Sequence, residues 1–284
     1  MRPAHKLLLV FGGLSLIAVA LGAWVCAQHG IAPGVWARNL VAWVIGAAAA
    51  VAIGRWAGPR FFGAVLVATT IGIGATLVGA GQLGVHRWIA LGPLTINVAM
   101  LIAPAAVVAV AVSGCRLWPW LAALACLALL VWQPDASQAT AFGAALVVLS
   151  LRTGRGAAVR RGVATLAAAV AAIGWLRPDP LAPVPEVEEI LWLAYGVSPA
   201  VAAVALAALV ASALTPATFG RPREPDVRAA AVALSVYFLL GAVMPFLGAF
   251  PTPLVGVGLS PVLGDWLGVG ALAAMLRLRE PGAR

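Results

Sequence analysis

The sequence predicts an all-α, polytopic membrane protein with about ten transmembrane helices and both termini in the cytoplasm. The chain is 63% hydrophobic and its mean hydropathy is +1.04, values well above those of a soluble domain. Its apolar residues fall into ten stretches, and a helix needs about 20 apolar residues to cross the hydrocarbon of a bilayer. Lysine and arginine collect in alternate loops, as they do in polytopic membrane proteins.

The ten apolar stretches define the predicted spans. In chain order they cover residues 7–27, 39–54, 61–81, 97–114, 118–132, 136–151, 162–176, 189–214, 228–248 and 254–276. Several are shorter than about 20 residues, so we expect their helices to extend into the loops or to tilt. The first stretch has the charge pattern of a signal peptide, but it is long enough to span and is expected to be retained. Residues 1–284 are therefore predicted to form a single transmembrane domain.

Basic residues predict the orientation of these spans. Only Arg38, Arg87 and Arg177 lie on one side of the predicted membrane. The other side carries Arg2, Lys6, Arg55, Arg60, Arg116, Arg152, Arg155, Arg160, Arg161, Arg221, Arg223, Arg228, Arg277, Arg279 and Arg284. This basic side is predicted to be cytoplasmic, and an even number of spans places both termini there. The net charge of +9 comes from these loops, where basic residues orient the spans and interact with anionic lipid headgroups. We therefore expect no nucleic-acid partner.

Ionisable residues are scarce inside the predicted spans. Nine of the ten spans carry none away from their ends, which disfavours an ion-coupled pump because such proteins hold charged residues within the membrane. Asp265 is the exception, since it lies twelve residues before Arg277 and therefore about 18 Å along the last helix. It either caps the N-terminus of that helix or lines a polar groove.

The loop after the third predicted span concentrates polar and aromatic residues on the outward side. His86, Arg87 and Trp88 are adjacent there. One interpretation is an interfacial anchor, with the indole at the headgroups and the arginine extended toward lipid phosphate. The other is a binding site for an anionic group such as a lipid-linked pyrophosphate, which the forked donors of arginine suit.

The turn between the fifth and sixth spans contains Gln133, Pro134 and Asp135. A Pro-Asp pair is common in tight turns, so a purely structural role is one interpretation. A second interpretation is that its polar side chains contribute to an outward-facing site.

The outward loop before the eighth span is rich in proline and acid. Glu186, Glu188 and Glu189 precede an apolar helix, where acids are favoured by the helix dipole and can cap it. Alternatively, one of them is a general base toward a hydroxyl of a lipid-anchored substrate. Partial desolvation would raise the pKa of such a carboxyl toward the useful range.

Taken in order, these loops resemble the SEDS family of bacterial cell-wall polymerases, the RodA, FtsW and SpoVE type. The family's Gly-x-x-Arg-Trp-Ile segment matches residues 84–89, and its Gln-Pro-Asp matches residues 133–135. Its Pro-Glu, followed by Thr-Asp-Phe-Ile-Phe, resembles residues 185–186 and 189–192. Its Pro-Val-Val-Gly-Val before the last span resembles residues 253–257. The four matches occur in the family's order and extend over nearly the whole chain.

The chain departs from the family pattern at four places. Residues 97–100 read Asn-Val-Ala-Met where the family has Gln-Pro-Ser-Glu, and residues 263–267 replace its Ser-Tyr-Gly-Gly-Ser. The outward loop at 177–188 is much shorter than the family's. Glu189 matches the acid that serves the family as catalytic base, which is an Asp there. The match needs a one-residue gap, so Glu188 is a substitute for it.

The resemblance implies a peptidoglycan glycosyltransferase that polymerises lipid II at the outer face of the bacterial cytoplasmic membrane, in elongation, cell shape or division. Glu189 would deprotonate the acceptor sugar hydroxyl, which displaces undecaprenyl pyrophosphate. The substrate-binding residues would be Arg87, Trp88, Gln133, Asp135, Glu186 and Asp265. The implied partners are lipid II or another undecaprenyl-linked precursor, a class B penicillin-binding protein and membrane lipids.

Cofactor chemistry has little support in the sequence. Cys26, Cys115 and Cys126 lie in or beside apolar spans without metal-ligand spacing, so we interpret them as small packing residues. No cofactor and no metal-ligand set is evident, and a divalent cation that bridges the pyrophosphate is left open.

Two other functions stay open beside polymerisation. The lost family acid and the shortened loop fit a catalytically inactive relative that binds lipid-linked precursor or scaffolds a transpeptidase. A lipid-linked sugar flippase is the third interpretation, which the scarcity of charge within the predicted spans disfavours.

Overall fold

A computed structural model describes residues 1–79, 81–92, 94–114, 116–152, 156–221 and 224–280. Within these ranges the fold is all-α, as predicted, apart from one short hairpin. The helices are α1 (Pro3–Gln28), α2 (Pro33–Trp56), α3 (Pro59–Thr76), α4 (Val98–Val112), α5 (Leu117–Trp132), α6 (Ala136–Arg152), α7 (Ala157–Gly174), α8 (Ile190–Val197), α9 (Pro199–Thr218), α10 (Pro225–Val243) and α11 (Leu259–Leu278). Cys115, Arg155, Arg223 and Arg284 lie outside the described residues, whereas Cys26 and Cys126 are buried free thiols, as predicted.

Seven helices in the described part of the chain are long and apolar enough to cross a membrane. Three shorter apolar helices, α4, α5 and α6, occupy three further predicted spans. The ten predicted spans therefore all contain helix. Several helix boundaries differ from the predicted ones by up to six residues, and the differences in the third, eighth and last spans shape the outward end of the molecule.

The predicted eighth span is two helices rather than one. Pro199 has no N–H to donate and forces the residue before it out of the helical region. Ser198 is accordingly extended, with φ −167° and ψ 134°, and its hydroxyl accepts a hydrogen bond from the N–H of Ala200 at 3.3 Å. A capped helix α9 therefore begins directly after α8 ends.

The predicted third span ends five residues early, at Thr76. Gln133, which follows α5, donates from Nε2 to the carbonyl of Ile73 at 3.1 Å, so its side chain satisfies the C-terminal turn of α3. The chain then forms an antiparallel hairpin of β1 (Trp88–Leu91) and β2 (Leu94–Asn97). The positive φ of Gly92, 59°, suits a tight turn between the strands.

The helix of the last span begins five residues after the predicted start at residue 254, since residues 250–258 are not helical. Pro251 and Pro253 in this segment cannot donate backbone hydrogen bonds, and α11 starts only at Leu259. Beyond this point α11 packs against α1, α2, α4 and α10. It is the most deeply buried of the seven candidate spans in the described chain.

Small residues on α11 let neighbouring helices approach closely. A Cβ added to Gly264 would overlap the carbonyl of Met100 on α4, so only glycine fits at this crossing. Trp266 fills the opposite side, with its ring centroid 5.0 Å from that of Phe11 and 5.5 Å from that of Trp43. Close backbone contact of this kind drives helix association in lipid.

The substitution Gly264→Ala is expected to lower the free energy of unfolding by about 1–3 kcal/mol, because the added methyl group forces α4 and α11 apart. Thermal unfolding of the detergent-purified protein measures this change. Gly13→Ala on α1 is the matched control, since a Cβ there meets open space. Equal melting temperatures for the two variants would contradict the close crossing.

Both ends of the described chain lie on one face of the molecule. Arg2, which precedes α1, has its Nε 4.0 Å from Oε2 of Glu280, which follows α11. Arg221, between α9 and α10, approaches the other oxygen of Glu280 at 3.9 Å. This arrangement agrees with the even number of predicted spans. The opposite end, where the hairpin and the loop at 177–188 lie, is called the outward end below.

Candidate functional site

The outward end contains a cavity of about 120 Å³, which we call the outward cavity. The hairpin, the start of α6, the loop before α8 and the segment before α11 each contribute side chains to its wall. The lining includes Arg87, Trp88, Asp135, Ser137, Ala182 and Glu188. Segments far apart in sequence thus converge on one polar site.

Arg87 is buried at the wall of this cavity, with only 4% of its surface exposed. Its Nη2 lies 2.5 Å from Oδ2 of Asp179 and donates to the carbonyl of Pro134. The guanidinium also lies 5.9 Å from the ring centroids of Trp88 and Phe250. The interpretation of Arg87 as an interfacial anchor is therefore wrong, because its charged group is paired inside the protein instead of extended toward headgroups.

The two carboxylate oxygens of Asp135 differ, since Oδ1 caps a helix and Oδ2 accepts no hydrogen bond from the residues that the structure describes. Its Oδ1 accepts hydrogen bonds from the hydroxyl of Ser137 at 2.9 Å and from the N–H of Gln138 at 3.1 Å, so it caps α6. Its Oδ2 lies 3.6 Å from Nε of Arg87. Neither of these two buried atoms has a hydrogen-bond partner among the described residues. Both therefore have unused hydrogen-bonding capacity beside the cavity.

Glu188 is the acid of the loop before α8 that lines the outward cavity. Its Oε2 accepts a hydrogen bond from the N–H of Val184 at 2.6 Å, which fixes the carboxyl in a turn of its own loop. Burial raises the pKa of this carboxyl above its ordinary value, and the hydrogen bond from Val184 and the charge of Arg87 oppose that effect only in part. A carboxylate with a raised pKa is a better proton acceptor.

Glu189 is placed differently from its neighbour. It is exposed and lies outside the lining of the outward cavity. It occupies the N-cap position of α8, as the capping interpretation predicts, but its side chain makes no capping hydrogen bond. Its assignment as catalytic base stays a prediction, and the acid that reaches the cavity is the substitute, Glu188.

Two other predicted substrate-binding residues, Gln133 and Glu186, lie outside the lining of the outward cavity. Gln133 is fully buried and donates to the end of α3, as described above. Glu186 is half-buried, and its carbonyl accepts a hydrogen bond from the N–H of Val257 at 2.8 Å. Contact of their side chains with substrate stays a prediction.

Asp265 lies in the interior of α11, six residues after the helix begins. Its interpretation as the N-cap is wrong, because Gly258 occupies that position. The side chain is 6% exposed and does not line the outward cavity. A role in substrate binding stays a prediction for this residue too.

Comparisons with known proteins identify the fold. No family model and no curated protein matches the chain. Among solved structures, the rod shape determining protein RodA of Thermus thermophilus has a TM-score of 0.69 at 21% identity, over 95% of this chain and 97% of that one. An Asp-to-Ala mutant of the same RodA gives 0.70 at 22% identity, over 95% and 98%. A chain from a peptidoglycan synthase complex gives 0.64 at 21% identity, over 94% and 97%.

This chain has the RodA fold. The resemblance to SEDS proteins, predicted from the outward loops, is thereby confirmed at the level of the fold. Together with the apolar helices, the match shows a multi-pass membrane protein. At these identities the likeness establishes architecture, and the activity has to be argued from the residues of the outward cavity.

Asp179 is the residue of this RodA-fold site that sequence reasoning missed. It pairs with Arg87 across 92 residues of sequence, and its Oδ1 accepts a hydrogen bond from the N–H of Leu181 at 3.3 Å. The one available signal is its position between two prolines, Pro178 and Pro180. That pattern restrains the backbone, so the carboxyl is held toward the hairpin at little conformational cost.

A clamp of hydrogen bonds positions the loop that carries Glu188. Asn39 on α2 donates to the carbonyl of Gly256 at 2.7 Å and accepts from the N–H of Gly258 at 2.9 Å. In the same segment, Thr252 donates from its N–H to the carbonyl of Val187 at 3.0 Å and from its hydroxyl to the carbonyl of Glu188 at 3.1 Å. The buried side chain of Asn39 thus supports the loop indirectly, because it fixes the segment at 252–258 and that segment is bonded to the loop.

The charges at the outward cavity are unbalanced. When all are ionised, Arg87 faces the three carboxylates of Asp135, Asp179 and Glu188, which leaves a net charge of −2. Among the described residues, no group of three or more His, Cys, Asp or Glu side chains could hold a metal ion. Because this net charge is negative, the site suits proton transfer and hydrogen bonding to hydroxyls better than unaided capture of a polyanion.

Proposed function

We propose that this chain is a SEDS-type glycosyltransferase that polymerises lipid II at the outer face of the bacterial cytoplasmic membrane. The observation that carries the proposal is the position of Glu188. In a RodA fold, at the end opposite the termini, a carboxyl with a raised pKa lines a cavity together with Arg87 and Asp135. A polymerase of lipid-linked sugars needs one proton acceptor at that membrane surface.

Glu188 is proposed as the general base. Its carboxylate takes the proton of an acceptor sugar hydroxyl, and the oxygen attacks the anomeric carbon of the donor chain. The new glycosidic C–O bond forms as the bond from that carbon to the undecaprenyl pyrophosphate oxygen breaks. The pyrophosphate leaves with the electron pair of the broken bond, and the proton stays on Glu188 until solvent removes it.

Arg87 has a positioning role in this proposal. Its ion pairs join the hairpin to α6 and to the loop before α8, so the walls of the cavity keep one geometry. Because two carboxylates already neutralise it, Arg87 is a weak candidate for binding pyrophosphate by itself. A divalent cation brought in with the pyrophosphate would offset the negative charge of the site.

The size of the outward cavity limits what enters it. Its volume of about 120 Å³ is smaller than the roughly 300–1,000 Å³ of typical ligand pockets. Only the reacting sugar hydroxyl and its nearest groups fit inside this arrangement. We infer that the loop at 177–188 moves away from Ala249 and Pro251 when the larger precursor is bound.

The complex named for one structural neighbour couples polymerization to crosslinking. By analogy, we propose a class B penicillin-binding protein as the partner of this chain. We also propose that the chain lies in the inner membrane with the outward cavity on the outer side, because the proposed substrate and partner act there. The analogy rests on the shared fold alone, so the partner is tested in the same experiment as the activity.

The proposed function is tested with labelled lipid II and the purified full chain, with and without a co-purified class B penicillin-binding protein. Glycan chains resolved on a gel are the expected result. Binding of lipid II or of the partner without any glycan would support the second candidate, a non-catalytic relative. One observation favours that candidate. Asp135 and Asp179 neutralise the charge of Arg87, and the cavity beside it is small.

The pH dependence of polymerisation follows from the raised pKa of Glu188. The base works only when ionised, so the rate is expected to fall as the pH drops through this raised pKa. The acid limb should therefore lie above pH 4.5, the ordinary value for a glutamic acid. Initial rates across the pH range measure it, and an acid limb at or below 4.5 would exclude a desolvated Glu188 as the base.

A further inference from the structure

A second cavity lies at the opposite end of the molecule, on the face that carries both termini. It has a volume of about 420 Å³, and we call it the basic cavity. The start of α1, the last two turns of α2 and the end of α11 form its walls. Arg2, His5, Arg55 and Arg277 line it, with Glu280 as the single acid in the lining described.

The donors of these basic side chains are used unequally. Arg277 donates from Nε to the carbonyl of Gly54 at 2.8 Å and from Nη2 to that of Ala57 at 2.5 Å, so it serves the C-terminus of α2. Arg2 has only a loose ion pair with Glu280, at 4.0 Å.

The donors of His5 and Arg55 stay available to a ligand. Both side chains are exposed and take part in no hydrogen bond or ion pair within the described part of the chain. Counting three arginines against Glu280 leaves the cavity with a net charge of +2 when histidine is neutral. Two sets of free donors therefore face a positively charged space.

The deeper wall of the basic cavity is apolar. Val51 lies four residues before Arg55 on α2, and Leu8 lies three residues after His5 on α1, so they are about 6 Å and about 4.5 Å further from the cytoplasmic face. Val51 is 55% exposed and Trp56, beside the rim, is 75% exposed. An exposed tryptophan at the end of a span is typical of headgroup depth. The cavity thus offers cations at headgroup level and apolar surface just inside the bilayer.

We propose that the basic cavity binds an anionic phospholipid of the cytoplasmic leaflet. Arg55 and His5 donate to its phosphate, and the first methylenes of an acyl chain lie against Leu8 and Val51. The apolar wall favours a lipid over a free phosphate, which would leave that surface uncovered. A lipid bound here bridges α1, α2 and α11, so it stabilises the packing around the central helix.

Native mass spectrometry of the full chain in detergent tests this site. The protein is mixed with equal amounts of phosphatidylglycerol and phosphatidylcholine that carry the same acyl chains, and preferential phosphatidylglycerol adducts are expected. The double substitution Arg55→Gln with His5→Gln should reduce that preference about tenfold, since charge-assisted hydrogen bonds are lost. Neither residue makes an internal hydrogen bond in the described structure, so the fold should be kept.

Two further variants separate a defined site from general attraction to charge. Arg161→Gln on α7 removes the same charge from the same face, outside the basic cavity, and should keep the wild-type preference. Val51→Trp fills the apolar wall with all charges intact and should lose the adducts. The proposal is overturned if Arg161→Gln behaves like the double variant, if Val51→Trp keeps the adducts, or if excess inorganic phosphate displaces the lipid.

Discussion

Replacing Glu188 with glutamine is expected to lower the initial rate of lipid II polymerisation by about 10²–10⁴-fold, the usual contribution of a general base. The amide oxygen can still accept the hydrogen bond from Val184, so the turn that holds the side chain is kept. What is lost is the ability to take a proton at the outward cavity. Glycan formation from labelled lipid II, at matched protein concentration, measures the change.

Glu189→Gln is the matched control for this experiment. The residue is adjacent and of the same type, but its side chain is exposed and outside the cavity, so a near wild-type rate is expected. The reverse outcome, an active Glu188→Gln and an inactive Glu189→Gln, would restore the assignment made from sequence. Loss of activity in both variants, with unchanged melting temperatures, would mean that the two acids act together.

Replacing Arg87 with methionine is expected to have the largest effect on stability, about 3–5 kcal/mol. The substitution leaves the carboxylates of Asp135 and Asp179 without their common partner, and Asp135 is only 1% exposed. The hairpin and the loop before α8 would then separate, and polymerisation would fall with the lost geometry. Thermal unfolding in detergent and the yield of monodisperse protein measure the effect.

Arg177→Met is the matched control for Arg87→Met. Arg177 is also an outward arginine over an aromatic ring, with its guanidinium 5.8 Å from the centroid of Trp132, but it is exposed and should cost about 1 kcal/mol or less. Adding Asp135→Asn and Asp179→Asn to Arg87→Met should recover part of the lost stability. Unchanged stability on this addition would contradict the buried ion-pair network.

Much of the helical architecture follows from hydropathy because each span must satisfy its own backbone in lipid. The failures are local and have physical causes. A single proline, Pro199, divides the predicted eighth span, and this break was visible in the sequence. The strands of the hairpin are four residues each, too short to show a period against an apolar background.

The candidate site was harder to predict than the fold. Arg87, Trp88 and Asp135 were selected from their motifs and do line one cavity. Asp179 was not, because its pairing with Arg87 depends on contacts between distant segments that no local pattern encodes. The choice between Glu188 and Glu189 turns on one residue of register at the start of α8, and helix boundaries are the least certain part of any prediction from sequence.

Site-specific crosslinking to lipid II tests the outward cavity most directly, since it requires binding and not turnover. Photoreactive p-benzoylphenylalanine in place of Ala182, which lines the cavity, should label the precursor under ultraviolet light. The same group in place of Ala27, an exposed residue at the outward end of α1 outside that lining, should not. Equal labelling at both positions, or labelling at Ala27 alone, would contradict the outward cavity as the place where lipid II is bound.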